Sequence, residues 1–205
     1  MASGGYDDGY LGASCFWGTE PGSLVRRLPE LVGSLEGLRV LDAGCGEGKN
    51  AAFLAALGAE VHAFDVSLIA VERARTAWPQ SDAVRWEVAD VRSRPLPDQV
   101  FDVVIAYGLL HCLANASEVV GVIERLQRAT RAGGLHLLCA FNERKQDLRA
   151  HPGFHPVLLR HEAFLECYAH WTVLEQSDTD LVESHPHNAI EHSHSMTRMI
   201  ARSPK

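Results

Sequence analysis

The chain has 205 residues, a formal charge of −7 from 19 basic and 26 acidic side chains, and 46% hydrophobic against 22% charged residues. These figures describe one domain with a substantial core, and the acidic balance argues against a dedicated nucleic-acid binder, which carries a basic face. No apolar run reaches the length of a membrane span, Met1 to Gly9 lack the basic and apolar regions of a signal sequence, and the five cysteines have no CxxC spacing; a cytoplasmic protein with reduced thiols and no membrane partner is expected.

In chain order, residues 1–19 are rich in Gly, Ser, Tyr and Asp and read as a flexible start that carries the aromatic pair Phe16-Trp17. Pro21 and the apolar positions Leu24, Val25, Leu28, Leu31 and Val32 predict a helix that Pro29 kinks or ends. Arg39 to Leu41 is the end of a short buried strand. It runs into a glycine-spaced turn, Asp42-Ala43-Gly44-Cys45-Gly46-Glu47-Gly48-Lys49-Asn50, and then a helix over Ala51 to Leu57 closed by Gly58. Ala59 to Phe64 is the second strand, with Asp65 at its end. Ser67 caps a helix to about Ala77. Val84 to Val88 is the third strand, followed by Ala89-Asp90-Val91, and Phe101 to Ala106 is the fourth, ending near Tyr107-Gly108. Glu118 to Thr130 is an amphipathic helix, residues 131–134 a turn, and Leu135 to Phe141 the fifth strand. Asn142 to Pro156 reads as a loop and His161 to Tyr168 as a helix. Trp171 to Gln176 and Met196 to Ala201 read as a closing antiparallel hairpin around a long histidine-bearing loop, Ser177 to Ser195.

Strands alternating with helices imply a parallel sheet covered on both faces. Right-handed crossovers then gather the C-terminal strand ends on one rim, where ligands bind. Asp42–Asn50, Asp65, Asp90 and Tyr107–His111 all fall there. Alone, the glycine loop fits a nucleotide or a carboxylate. Its spacing, Gly44-x-Gly46-x-Gly48, is not the dinucleotide fingerprint, and no lysine-serine pair of an ATP phosphate loop follows it.

The stretches VLDAGCGEGKNAAFLAALG, HAFDVS, VADV, FDVVIAYGLLHCL and RAGG, in this order, resemble the class I S-adenosylmethionine (SAM) methyltransferases over roughly residues 35–141. The resemblance implies an α/β, Rossmann-like sandwich with a mostly parallel seven-stranded sheet and an antiparallel C-terminal hairpin, binding SAM and releasing S-adenosylhomocysteine. It places backbone N–H groups of Gly44, Gly46 and their neighbours against the cofactor, Asp42 near the methionine ammonium, Asp65 on the ribose hydroxyls, and Asp90 with Val91 at the adenine. Tyr107 lines the methionine pocket, and Trp17, Cys45, Asn50 and Val66 complete the cofactor set. The alternative for Asp65 and Asp90 is a turn or N-cap role. The order FWGTEPGSLVRRL, GCGEGKNAAFLAALG, LLRHEAFLECYAHW and a final MIAR strand is similar to the small tellurite-resistance and thiopurine-type methyltransferases, which methylate soft nucleophiles. Phe16-Trp17 would then belong to a lid formed by residues 1–34, with acceptor-side insertions in residues 142–195 of a single domain. Pro186 stands where those relatives place an arginine after His185, so an anionic oxo-acid acceptor is not carried over.

Eleven histidines is a high count, and His185-x-His187 and His192-x-His194 are the densest cluster. A solvated loop, a set for proton transfer and substrate recognition, and a metal site all remain open readings. On a strand, HxH places both rings on one face, but no Cys or acid at a familiar ligand spacing completes the set, so no metal is expected. His111 and His185 are the candidate catalytic residues; Phe16, Tyr107, His111, His155, His185 and His192 are the candidate substrate contacts. The expected activity is methyl transfer to a small-molecule acceptor, a soft thiol or chalcogen or a heterocycle nitrogen favoured, by a monomer or homodimer. A SAM-using cyclase, a SAM sensor and an NAD enzyme are the alternatives.

Overall fold

The computed structural model describes residues 6–79, 83–184 and 189–205. Seven strands form one sheet in the order β3-β2-β1-β4-β5-β7-β6, from β1 (Arg39–Ala43), β2 (Glu60–Asp65), β3 (Val84–Val88), β4 (Phe101–Tyr107), β5 (Thr130–Gln146), β6 (Thr172–Glu183) and β7 (His192–Arg202). The first five run parallel, β7 is antiparallel to β5, and β6 is antiparallel to β7. The predicted fold class is the observed one. Strand order reverses between β1, which continues to β2, and β4, which starts the other half. That switch point opens a crevice at the strand ends.

The central strands are buried on both faces, so their apolar runs are continuous rather than alternating. Leu41, Ala43, Val104, Ala106 and Leu138 face one core, which Val119, Val122, Ile123 and Leu126 of α6 (Ala116–Ala129) close with helical spacing. Val40, Val103, Ile105 and Leu137 face the other, against Ala51 and Leu54 of α4 (Lys49–Ala56) and Leu24, Val25 and Leu28. Ser67 caps α5 (Leu68–Ala77) by accepting from the Ala70 amide at 3.1 Å.

Several sequence expectations are corrected. The N-terminal stretch is built rather than loose over its described part: α1 (Asp7–Gly12) packs on α5, with Tyr10 and Phe16 buried. The break expected at Pro29 is present: the helix is two short pieces, α2 (Ser23–Arg26) and α3 (Leu28–Val32), with Pro29 in the first turn of the second. Residues 131–134 are a bulge within β5, whose pairing with β4 jumps from Phe101↔Thr130 to Val103↔Leu135. Gly134 lacks the Cβ that would meet the Asp102 carbonyl at 2.9 Å. Asn142–Gln146 continue β5, and most of the expected histidine loop is strand: β6 runs to Glu183 and β7 begins at His192. Polar side chains on a sheet edge read as a loop because period-two alternation is weak there. A helix, α7 (His161–Glu166), fills the expected position.

Candidate active site

The loop after β1 is a knot of backbone bonds. Gly44 and Cys45 both donate to the Phe64 carbonyl, at 2.9 and 3.0 Å, and Gly46 donates to Asp65 Oδ2 at 2.9 Å. The expectation that Gly44 and Gly46 N–H groups face a ligand is therefore corrected, because these donors are engaged within the loop. What the glycines give is shape. At φ +71° Gly44 leaves its Cβ position to Leu109, and Gly48, at φ +83°, leaves it to the Trp86 ring.

Two adjoining cavities open beside this loop. One, about 280 Å³, lies under Tyr6, Tyr10 and Trp17 and against Gly44, Cys45, Asn50, Asp65, Val66, Tyr107 and His111. The other, about 330 Å³, is lined by Asp90, Val91, Arg92 and Leu113. Gly44, Asp65, Val66, Leu109 and Cys112 belong to both walls, so Asp65 stands at their junction. Burial raises the Asp65 carboxyl, while donors from Ser67 and Gly46 pull it back down. Asp90 is clamped by Arg92, whose Nε donates at 2.9 and 3.0 Å, which lowers the carboxyl and keeps it charged. Tyr107, at the end of β4, packs on Gly22, where a Cβ would sit 2.5 Å from its ring; burial pushes its hydroxyl to about 12.

The roof is tied to the loop by polar residues of the glycine stretch to which the sequence analysis gave no tethering role. Glu47 accepts from the Cys15 and Phe16 amides. Lys49 Nζ donates to the Trp17 carbonyl at 2.6 Å, and the Gly22 amide donates to Asn50 Oδ1 at 2.8 Å. Trp17 Nε1 donates to the Tyr10 hydroxyl at 3.4 Å. Their signal in the sequence is only adjacency to the glycines.

Several expected site residues sit elsewhere. Asp42 lines neither cavity; it is buried behind the loop, and among the described residues its Oδ2 has no hydrogen-bond partner. Burial and the charge of Asp65 raise its carboxyl to about 7. Phe16 is a core residue of the roof, against Tyr10 and Gly9, not a cavity wall. His155 is exposed and lines the Asp90 cavity rather than the Tyr107 cavity. His192 is buried in β7 and lines neither. His185 and His187 lie outside the described residues.

His111 does line the first cavity, but not as a base. Its Nδ1 accepts from the Phe141 amide at 3.2 Å, so the neutral ring carries its proton on Nε2. Burial, with His194 and His151 nearby, lowers it to about 3. It presents a donor, and its ring stacks on Phe141 at 4.0 Å. Phe141 in turn stacks on His194 at 4.2 Å. The inference that no acid completes the histidine pairs is also corrected: Glu183 pairs across the hairpin with His192, and its carboxyl is raised by burial.

Comparisons with known proteins find similar sequences and similar folds. The methyltransferase domain family matches residues 40–134. The ubiquinone biosynthesis O-methyltransferase of Methylocella silvestris is 34% identical over 109 residues, 53% of this chain and 41% of that protein. Across the curated relatives it matches, the chain spans about a third to a half of their length. Two solved structures share the fold. TehB from Haemophilus influenzae has a TM-score of 0.74 at 19% identity, covering 89% of this chain and 62% of that one. The N-methyltransferase NodS from Bradyrhizobium japonicum WM9, in complex with S-adenosylhomocysteine, has a TM-score of 0.69 at 16% identity, covering 89% and 85%. Residues 40–134 match the methyltransferase domain family, and the chain shares the fold of solved SAM-dependent methyltransferase structures.

Proposed function

We propose that the chain transfers a methyl group from SAM to a small-molecule acceptor. The observation that carries this reading is the position of Asp65, at the junction of the two cavities beside the switch point of the sheet. A carboxylate there suits a ribose diol, the part of SAM that joins its two ends. Asp90 and Val91 then hold the adenine end. Asn50, Tyr107, Lys49 and the roof over them hold the amino-acid end. Gly44 and Gly22, having no Cβ, let Leu109 and Tyr107 pack against the loop and the roof as cavity walls. Bound SAM supplies an electrophilic methyl on a sulfonium.

The residues of this chain position and desolvate the acceptor. Phe141, Leu181 and Met196 make one cavity wall apolar, and Lys49 is the one cation among the described lining residues of the Tyr107 cavity. Such a wall fits a neutral heteroatom on an apolar body, a thiol, chalcogen or heterocycle nitrogen, better than an oxo-anion. His111 can orient the acceptor by donating from Nε2 to a polar atom beside the attacking one, leaving the attacking lone pair to the methyl. The chain works as a cytoplasmic protein, consistent with its five free cysteines and with no described helix being long and apolar enough to cross a membrane.

Calorimetry with SAM and S-adenosylhomocysteine tests the reading. Asp65→Ala should weaken both by about 10- to 100-fold, the worth of a hydrogen bond to a charged group, and Asp65→Asn by less. No binding to the wild type, or unchanged binding in Asp65→Ala, overturns it. A turnover screen over thiols, amines and phenols, read as S-adenosylhomocysteine formed, separates a methyltransferase from a sensor or a cyclase.

A further inference from the structure

The C-terminal hairpin holds a second constellation. Glu183 lies opposite His192 and Leu181 opposite His194. Directly opposed residues project to one face, and so do residues two apart. Glu183, His192 and His194 therefore form one row. The segment after β5 adds His151 and is tied to β7 by the Asp147 amide, which donates to the Ser193 carbonyl at 2.9 Å. The Nε2 atoms of His151 and His192 are 3.1 Å apart, and those of His151 and His194 3.3 Å. Glu183 Oε1 lies 3.7 Å from His192 Nε2 and 3.9 Å from His194 Nε2. One donor atom from each of the four residues falls within 4.8 Å of all the others.

The outer partners fix which ring nitrogens face inward. His192 Nδ1 is 2.8 Å from the Ile190 carbonyl, which only accepts, so the proton is on Nδ1 and Nε2 presents a lone pair. The Gln146 amide nitrogen donates to the Asn142 and Ser195 carbonyls at 2.7 and 2.9 Å. That turns its Oε1 to His194 Nδ1 at 2.8 Å and gives a second inward lone pair. Two imidazole lone pairs and a carboxylate thus converge with His151 Nε2. Outer acceptors of this kind set the tautomer of metal-bound histidines. Four donors around a tetrahedral ion at about 2.0–2.1 Å stand about 3.4 Å apart; four of the six donor pairs are 3.1 to 3.9 Å apart and all lie within 4.8 Å.

We propose that His151, Glu183, His192 and His194 bind one divalent transition-metal ion, with zinc favoured by three imidazoles and a carboxylate. Glu183 also lines the Tyr107 cavity beside Leu181 and Met196, so the ion lies in the wall of the acceptor end and pins the hairpin to the His151 segment. The site stands on the hairpin and not on the cofactor assignment, so S-adenosylhomocysteine binding reports separately from it.

The test uses the full chain, stripped with a chelator and titrated with Zn²⁺ by calorimetry, with Co²⁺ as the optical reporter. One ion per chain at low-micromolar affinity or tighter, and intense tetrahedral Co²⁺ absorption, are expected. His194→Gln, Glu183→Gln and the less buried His151→Asn should each weaken Zn²⁺ at least tenfold. Absence of equimolar binding, or equal affinity in all three variants, overturns the site. Where a variant loses its fold by circular dichroism, the wild-type Co²⁺ spectrum decides: weak octahedral absorption alone overturns it.

Discussion

Asp42 shows how a motif residue can be legible and its role still misread. Its place before the glycines marks the loop, but a strand side chain at that point alternates away from the rim and into the layer below. Burial raises its carboxyl from 3.8 to about 7. The folded chain thus binds this proton more tightly than the unfolded one. Its stabilising contribution is full below about pH 4 and is lost as the pH rises through 7. A shift of about three pH units corresponds to roughly 4 kcal/mol as an upper bound. Asp42→Asn is therefore expected to raise the melting temperature at pH 8, to raise it less at pH 5 and to change it little at pH 4, read by thermal denaturation at the three pH values. His111 carries the complementary lesson. Its position after the fourth strand was legible, whereas its tautomer depends on the Phe141 amide, thirty residues away.

At the scale of elements, parallel strands and capped helices were readable because their signals are local: apolar runs of strand length, Ser67 before a helix, glycines after a strand. The roof and the hairpin were not. The roof is held by Glu47 reaching the Cys15 and Phe16 amides, a contact across about thirty residues that no periodicity records. Glu47→Gln keeps one acceptor and should loosen residues 6–20 modestly; Glu47→Ala takes the acceptor from the buried Phe16 amide, at a cost of about 1–3 kcal/mol, and from the half-buried Cys15 amide, at a smaller one. Hydrogen exchange at Cys15 and Phe16 should rise in the order wild type, Gln, Ala, while β1 and β4 stay protected. Equal protection in all three chains would mean that the roof is held by its aromatic packing instead. The β6–β7 strands extend past their apolar ends because the inward row is His and Glu, residues that sequence patterns assign to loops.

Over the whole molecule, two cores on opposite faces of one sheet leave ionisable groups in unequal positions. His136 in β5 is fully buried, with Nδ1 against the Tyr168 hydroxyl at 2.8 Å, and burial lowers it to about 3. It is neutral in the folded chain and protonates in the unfolded chain below about pH 6.5. Its contribution to stability is present above that value and is lost as the pH falls toward 3. His136→Phe is expected to flatten the acid limb of a denaturation-midpoint profile between pH 6.5 and 4, even where its stability at pH 8 is lower.

The stitched roof has a kinetic meaning. Tyr6, Tyr10 and Trp17 cover the Tyr107 cavity, and the bonds from Glu47 and Lys49 hold them down. Exchange of a spent ligand for a fresh one then passes through an opening event that breaks those bonds, so arrival rates should level off at high ligand concentration. On the proposed function, a chain with a weaker stitch, such as Glu47→Ala, is expected to exchange ligand faster while holding each ligand less tightly, read by stopped-flow binding and calorimetry.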